Sequence, residues 1–344
     1  MHPSFHPRLV GADPFGDPCL YIPFTHDKRA ILFDLGNTPG LSGRDMLKAT
    51  HVFVTHTHMD HFIGFDHLVR TLLGRDKTLD LFGPPGFFAN VEGKLAGYTW
   101  NLVENYENPF VLRVHEVGEQ AVSTREYHCR EGFAGREGGQ SRRFDGVLLE
   151  EPGLAVRAAV LDHRIPCLAF ALKERFHVNV MKERLDAAGL ATGPWLKEAK
   201  NLLYEKAAPD TPVRALQKDG QIREMPLGEA RKKLMRITPG QKVAYVTDVA
   251  GHKANADKIV DLVRDADKLF IEASFLHADA DAAREKHHLT ARQAGTLARL
   301  ANVGQLTVFH FSARYTRDWH LLEAEARLAF EGEQDADFRE AETH

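Results

Sequence analysis

Residues 52–61 read Val52-Phe53-Val54-Thr55-His56-Thr57-His58-Met59-Asp60-His61. The β-branched and aromatic residues that open this segment predict a short strand, and the side chains that follow include four able to bind a metal ion. His56 and His58 point the same way in an extended segment, because side chains alternate with period 2. The spacing His-x-His-x-Asp-His is more specific than a high histidine content. The segment therefore predicts a metal site at the end of a strand.

A helix is predicted directly after the motif. Its apolar residues recur at helical spacing and are Phe62, Phe65, Val69, Leu72 and Leu73. The end of the strand would then offer an imidazole pair to one ion, while Asp60 and His61 at the start of the helix would serve a second ion. An exposed histidine-rich loop without a metal is the alternative.

The overall composition is that of a globular protein. Of the 344 residues, 43% are apolar and 27% are charged, with a formal net charge of −4. This charge excludes a globally basic nucleic-acid binder but leaves a local basic patch open. Cys19, Cys129 and Cys167 form no C-x-x-C pair, which argues against a disulfide framework or a thiolate zinc site and favours a reducing cytoplasm. No segment resembles a signal sequence or a membrane span, so we expect no membrane partner.

Several predicted strands end in residues that bind metals or carry protons. These strand ends are His56, His163, Asp248, Glu272 and His310. Strands alternate with helices, which predicts an α/β fold. The carboxyl ends of strands in such sheets meet at one edge, where ligands bind. We therefore expect these side chains to form one site.

Seven side chains make up the predicted metal ligands. Imidazole together with carboxylate suits zinc, with manganese or iron as alternatives, better than calcium. One ion has too few positions for seven ligands, so we expect two ions that share a carboxylate. The assignment is His56, His58 and His163 to the first ion, Asp60, His61 and His310 to the second, and Asp248 as the bridge. Two such ions, roughly 3.5–4 Å apart, clamp the attacking and leaving oxygens of a phosphodiester. Asp34, the last residue of the strand predicted over 30–34, is placed to support a ligand histidine.

Residues 174–240 differ in charge from the rest of the chain. From His177 to Gly240 there are 12 Lys and Arg against 8 Asp and Glu, and residues 231–236 read Arg-Lys-Lys-Leu-Met-Arg. A solvated charged face is the alternative to an arm that holds an anionic polymer. We expect an inserted helical arm at 174–240 within a single domain of residues 1–344.

The motifs as a set resemble the metallo-β-lactamase superfamily and, within it, the ribonuclease Z family of tRNA 3′-processing endoribonucleases. Ile271-Glu272-Ala273-Ser274-Phe275 resembles the family's His-Glu-Ala-Thr motif, and His288-Leu289-Thr290 resembles its His-Ser-Thr motif. The segment His310-Phe311-Ser312-Ala313-Arg314-Tyr315 is similar to the one that carries the family's last ligand. The likeness covers about residues 30 to 330, and Ile271 and Ser274 depart from the family pattern.

The resemblance implies a four-layer αββα sandwich with an inserted helical arm, the arm being a candidate exosite that grips tRNA. It also implies endonucleolytic removal of the 3′ trailer from precursor tRNA by a metal-activated hydroxide. In this scheme Glu272 and His288 protonate the leaving 3′ oxygen, and Asp60 orients the attacking hydroxide. The dipole of the helix that begins after Thr290 would lower the pKa of His288, and we expect Glu272 to outweigh it. Arg314 is a candidate phosphate ligand, with a surface ion pair as the alternative.

Three functional hypotheses follow from these observations. The first is a cytoplasmic, homodimeric, dinuclear phosphodiesterase that acts on precursor tRNA. The second keeps the fold and the metals but assigns a small phosphodiester or ester as the substrate. The third is an RNA-binding protein in which the metal site is structural or vestigial. The complete ligand set weighs against the third hypothesis.

Overall fold

The computed structural model describes residues 4–10, 14–25, 27–135 and 140–332, which fall into two compact units. The larger unit contains Phe5–Leu148, Arg157–Ala171 and the chain from Val243 onward. The smaller unit contains Leu149–Val156 and Leu172–Lys242, together with Ser4. All the predicted site residues lie in the larger unit. Across the described residues, no helix has both the length and the apolar character needed to span a membrane.

The first sheet has eight strands that follow one another in chain order. They are β1 (Arg8–Leu9), β2 (Leu20–Pro23), β3 (Ala30–Phe33), β4 (Ala49–Phe53), β5 (Lys77–Gly83), β6 (Phe110–Val117), β7 (Ala121–His128) and β8 (Ser141–Arg143). The strands β3 to β6 are parallel, and the outer strands pair antiparallel. The helices between the parallel strands are α1 (Gly43–Met46), α2 (Met59–Phe62), α3 (Phe65–Leu72) and α4 (Phe87–Ala96).

The second sheet has six strands in the order β18-β17-β16-β11-β10-β9. Their bounds are β9 (Val147–Glu150), β10 (Leu154–Asp162), β11 (Pro166–Glu174), β16 (Lys242–Val246), β17 (Lys268–Glu272) and β18 (Leu306–Phe309). The last three strands are parallel, as expected for alternating β and α elements. The helices that follow them are α8 (Lys253–Val263), α9 (Ala280–Lys286), α10 (Ala291–Leu300) and α11 (Trp319–Glu331).

Within the larger unit, aromatic side chains fill the space between the two sheets. The ring of Phe170 lies 5.2 Å from that of Phe33 and 5.6 Å from that of Phe53, while Tyr245 lies 5.9 Å from Phe33. Helices α3 and α4 bury their apolar faces against the outer side of the first sheet. Helices α8, α10 and α11 do the same on the second sheet. This order of layers confirms the predicted αββα sandwich.

The smaller unit is mixed rather than helical, which corrects the predicted helical arm. It contains β12 (Phe176–Val180), α5 (Lys182–Ala187), α6 (Trp195–Tyr204), β13 (Pro212–Leu216), β14 (Ile222–Pro226), α7 (Leu227–Leu234) and β15 (Met235–Pro239). Two antiparallel pairs form, β12 with β15 and β13 with β14. Buried side chains such as Val178, Trp195 and Val213 give the unit its own core. The overlooked signal was Asp219-Gly220, a turn dipeptide typical of hairpins, with Gly220 at φ +87°.

The helix predicted after the metal motif is broken into α2 and α3. The break falls at Gly64, whose N–H donates to the carbonyl of Leu35 at 2.7 Å. A Cβ at this position would lie 2.6 Å from the carbonyl oxygen of Gly36 and 2.6 Å from Thr38 Cγ2. Only glycine lets the chain pass the preceding loop so closely. The predicted helical periodicity is present on both sides of the break.

Candidate metal centre

The seven predicted ligands come together in the larger unit as two groups that share Asp248. Within each group the candidate ligand atoms lie within 4.8 Å of one another. The groups are His56, His58, His163 and Asp248, and Asp60, His61, Asp248 and His310. These are the same two sets that the sequence assigned. The loop after β4 brings His56 and His58 from the first sheet, whereas His163, Asp248 and His310 follow strands of the second sheet.

Asp248 lies between the two groups and presents one carboxylate oxygen to each. Its Oδ2 is 3.7 Å from the Nε2 atoms of both His56 and His163. Its Oδ1 is 3.4 Å from His61 Nε2 and 3.2 Å from His310 Nδ1. A carboxylate in this arrangement can bridge two ions.

Asp60 occupies the outer side of the second group. Its Oδ2 lies 3.2 Å from His310 Nε2 and 3.4 Å from His61 Nε2. Burial alone would raise the pKa of Asp60, but a hydrogen bond from His310 and the nearby imidazole of His61 hold the pKa of this carboxyl well below its usual range. Asp60 is therefore an ionised carboxylate at neutral pH.

Hydrogen bonds on the far side of two rings orient them toward Asp248. His61 Nδ1 is 2.9 Å from Asp34 Oδ2, which confirms the predicted support of a motif histidine by Asp34. His163 Nδ1 is 2.8 Å from the carbonyl oxygen of His287. A ring whose Nδ1 donates to an oxygen keeps its Nε2 lone pair free. Both Nε2 atoms face the shared carboxylate.

Two further groups hold Asp34 in place, and the sequence did not predict them. The backbone N–H of Thr55 donates to Asp34 Oδ1 at 2.7 Å, and the Tyr245 hydroxyl donates to Oδ2 at 3.0 Å. Asp34 is fully buried, so these partners replace the water that it loses. The available signal was the hydroxyl of Tyr245 within the otherwise apolar end of β16.

Unpaired ring nitrogens show that the centre suits metal ions. Among the described residues, His56 Nε2, His61 Nε2 and His310 Nδ1 are buried without a hydrogen-bond partner. A buried polar atom without a partner costs free energy, and all three atoms face Asp248. Burial and the neighbouring His61 lower the pKa of His56 to about 2, so its imidazole is neutral and able to bind a metal ion. The donor set, imidazole with carboxylate, fits two divalent ions.

A buried carboxylate and an imidazole lie beside this centre. Glu272 Oε2 is 2.9 Å from His288 Nδ1 and accepts from Ser274 Oγ at 2.7 Å, and Oε1 accepts from the Val249 N–H at 2.7 Å. Burial would lower the pKa of His288, but Glu272 outweighs it and raises the pKa to about 9. The direction is the one expected for a histidine paired with a carboxylate. His288 thus carries a proton at neutral pH.

Arg314 lies in a surface ion pair. Its guanidinium is 3.0 Å from Asp279 Oδ1 and 5.8 Å from the centre of the Phe275 ring. The structure therefore shows the alternative that the sequence left open. A contact between Arg314 and a phosphate stays a prediction.

Three residues whose side chains face the centre or support it have a left-handed backbone. Asp34 has φ +59°, Asp248 has φ +46° and His310 has φ +60°. Asp34 and His310 directly follow strands, and Asp248 comes two residues after one. Non-glycine residues in this conformation cost on the order of 1–3 kcal/mol each. The turns persist because the surrounding structure fixes them, and they aim all three side chains into the centre.

We expect the purified protein to contain about two divalent ions per chain, since two donor groups share one bridge. Removing the ions with a chelator should lower the melting temperature. An ion that binds only the folded state adds about 2.7 kcal/mol to the free energy of unfolding when its concentration is a hundred times Kd. Elemental analysis and thermal melts with and without chelator measure both effects. Active protein with fewer than one ion per chain would contradict the dinuclear centre.

Comparisons with known proteins place the chain among metallo-β-lactamase folds and ribonucleases Z. It is 34% identical over 283 residues to ribonuclease Z of Deinococcus radiodurans, which covers 81% of each chain. It is 30% identical over 323 residues to ribonuclease Z of Haloferax volcanii, which covers 89% of this chain and 83% of that one.

Among solved structures, the metallo-beta-lactamase fold protein YhfI from Bacillus subtilis matches with a TM-score of 0.52 and 16% identity, over 94% of this chain and 91% of that one. This likeness supports the fold alone. A scan against models of protein families finds no match. The identity to curated relatives over four fifths or more of their length shows that the chain belongs to the ribonuclease Z family.

Proposed function

We propose that the chain is a dinuclear metal-dependent phosphodiesterase that removes the 3′ trailer from precursor tRNA by endonucleolytic cleavage. The observation that carries this proposal is the pair of donor groups sharing Asp248, with the protonated His288 beside them. The names of the relatives supply the class of substrate. Zinc is the proposed metal because imidazoles outnumber carboxylates in the donor set.

In this proposal His56, His58 and His163 would hold the first ion, Asp60, His61 and His310 would hold the second, and Asp248 would be shared by both. When bound, such ions supply Lewis acidity that activates a water at neutral pH and offsets charge on the phosphodiester. Asp34 and the carbonyl of His287 keep His61 and His163 in the tautomer that presents Nε2 to the ions.

Two other residues handle protons. Asp60 is ionised, so it can accept a hydrogen bond from the attacking water and orient it. His288 gives its Nδ1–H to Glu272, which leaves the Nε2–H as the proton that can pass to the leaving 3′ oxygen. Glu272 cannot turn away, because Ser274 and the Val249 N–H hold its two oxygens.

The test is to incubate the purified protein with a precursor tRNA that bears a 3′ trailer, alongside bis(p-nitrophenyl) phosphate. Release of the trailer at a single position, abolished by chelator and restored by Zn²⁺, is the expected result. Hydrolysis of the small diester without processing of the tRNA would instead support the second hypothesis, a hydrolase of small phosphodiesters or esters.

We also propose that the smaller unit is an exosite for the tRNA backbone. Helix α7 and the start of β15 carry Arg231, Lys232 and Arg236, all exposed, and phosphate binding by such side chains does not require a basic protein overall.

Homodimeric assembly and a cytoplasmic location stay predictions. The buried free thiols of Cys19, Cys129 and Cys167 fit a reducing compartment.

Replacing Arg231, Lys232 and Arg236 by Gln should raise KM for precursor tRNA and leave hydrolysis of bis(p-nitrophenyl) phosphate nearly unchanged. The slope of log affinity against log salt should also fall by about 1 for each phosphate that the variant no longer binds. Steady-state kinetics at several salt concentrations measure both quantities. An equal loss on the two substrates would mean that these residues support the fold and not tRNA binding.

Removing most of the smaller unit is a second test of the exosite. Val180 and Met235 are paired residues of β12 and β15, so residues 181–234 can be replaced by an Asn-Gly turn that keeps this hairpin. The same pattern is expected, a raised KM for tRNA with the small diester still hydrolysed.

A further inference from the structure

Asn255 is a buried side chain that bonds only to the backbone of neighbouring segments. It lies in the first turn of α8 and is 3% exposed. Its Nδ2 donates to the carbonyl oxygens of Asp162 at 2.8 Å and Ala250 at 2.9 Å, and its Oδ1 accepts from the Asp162 N–H at 3.0 Å. Because Nδ2 faces two acceptors and Oδ1 faces a donor, the orientation of the amide group is fixed.

The segments that Asn255 joins are those that present His163 and Asp248. Asp162 is the last residue of β10 and immediately precedes His163, and Ala250 lies two residues after Asp248. The Ala250 N–H also donates to the Asp162 carbonyl at 2.9 Å. The Asn255 amide therefore sits behind the pair formed by His163 Nε2 and Asp248 Oδ2, which are 3.7 Å apart.

We propose that Asn255 is a positioning residue that sets the separation of His163 and Asp248 and so governs binding of the first ion. The inference rests on the proposed metal centre. Of the second group, only the shared Asp248 belongs to a segment that Asn255 joins. Its His61 is held by Asp34, and its Asp60 contacts His61 and His310 directly. Losing the amide should therefore weaken the first ion, which depends on both joined segments, more than the second.

The experiment is a Co²⁺ titration of metal-stripped protein followed by the visible spectrum. Wild-type protein should bind two ions. His58→Ala removes a ligand of the first group only, so the absorption bands that it loses belong to the first ion and those that it keeps belong to the second. Asn255→Ala should weaken the first ion by roughly 10–100-fold, the usual effect of losing a partner behind a ligand. The second ion should be weakened clearly less than the first.

A matched control lies on the same helix. Lys258 Nζ donates to the Val160 carbonyl at 2.8 Å, so Lys258→Ala also removes a bond from α8 to β10, but farther from the ligand. It should leave both affinities unchanged. If Asn255→Ala does not give folded protein, Asn255→Ser, which keeps a hydroxyl and suits the first turn of a helix, carries the same test.

Unchanged Co²⁺ binding in the Asn255 variants would overturn the inference. The inference would also be overturned if both ions bound equally more weakly and the metal-free protein melted at a lower temperature, because that result is expected of a purely structural residue. If wild-type protein bound no Co²⁺, the proposed metal centre itself would fail. If wild type bound two ions and Asn255→Ala bound both with the same affinities, the metal centre would stand and only the proposed role of Asn255 would fail.

Discussion

Asp248→Ala should leave the protein without either metal ion and lower its activity on tRNA and on bis(p-nitrophenyl) phosphate by more than about a hundredfold. A hundredfold is the upper end of what losing a partner behind a ligand costs in metal affinity, and Asp248 directly faces the imidazoles of both groups. Metal analysis and kinetics on both substrates measure the effect.

The number of bound ions tests the assignment of Asp248 as the shared ligand. Wild type should carry about two, His58→Ala about one, and Asp248→Ala about none, because His58 belongs to one group and Asp248 to both. His58→Ala should nevertheless be inactive on both substrates. Asp257→Ala, an exposed carboxylate on α8, should behave as wild type. Two ions in Asp248→Ala would show that the bridge assignment is wrong.

His288→Ala should lower kcat on precursor tRNA by about 10²–10⁴-fold, the usual contribution of a general acid, while metal content stays unchanged. The loss on bis(p-nitrophenyl) phosphate should be much smaller, because p-nitrophenolate is stable as a leaving group without a proton. Comparing kcat on the two substrates therefore separates proton donation from metal chemistry. His320→Ala, an exposed histidine on α11, serves as the control.

The pH profile gives an independent reading of the same residue. Glu272 raises the pKa of His288 to about 9, so the acid form is complete below that pH and activity on tRNA should fall as the pH rises through it. Glu272→Gln removes the carboxylate, which should lower the pKa of His288 and move the alkaline limb to lower pH. An unshifted limb in Glu272→Gln would mean that another group titrates.

The cluster of candidate metal ligands was predictable because its signals are local. The spacing from His56 to His61 concentrates metal-binding side chains in six residues. His163, Asp248 and His310 lie one or two residues beyond the carboxyl ends of strands. The contribution of two facing sheets to the site was harder to predict, because strand order depends on contacts between residues far apart in sequence.

The supporting contacts were not predictable from the sequence. Asn255 looks like an ordinary residue of a helix start, and only the folded chain shows that its amide meets Asp162 and Ala250. The break between α2 and α3 likewise depends on the approach of Gly36 to Gly64, which helical periodicity does not report. Local patterns predict elements, while these contacts arise from tertiary packing.

The left-handed backbone at Asp34, Asp248 and His310 sets a limit on how stable this enzyme can become. Glycine adopts positive φ without steric cost, so exchange to glycine at these positions relieves the backbone while deleting a side chain of the centre. At Asp34 the same exchange would leave the Thr55 N–H and the Tyr245 hydroxyl without their acceptor, which costs about 1–3 kcal/mol for each unsatisfied group. The strained turns are therefore the cost of aiming these side chains into the centre, a trade between stability and activity.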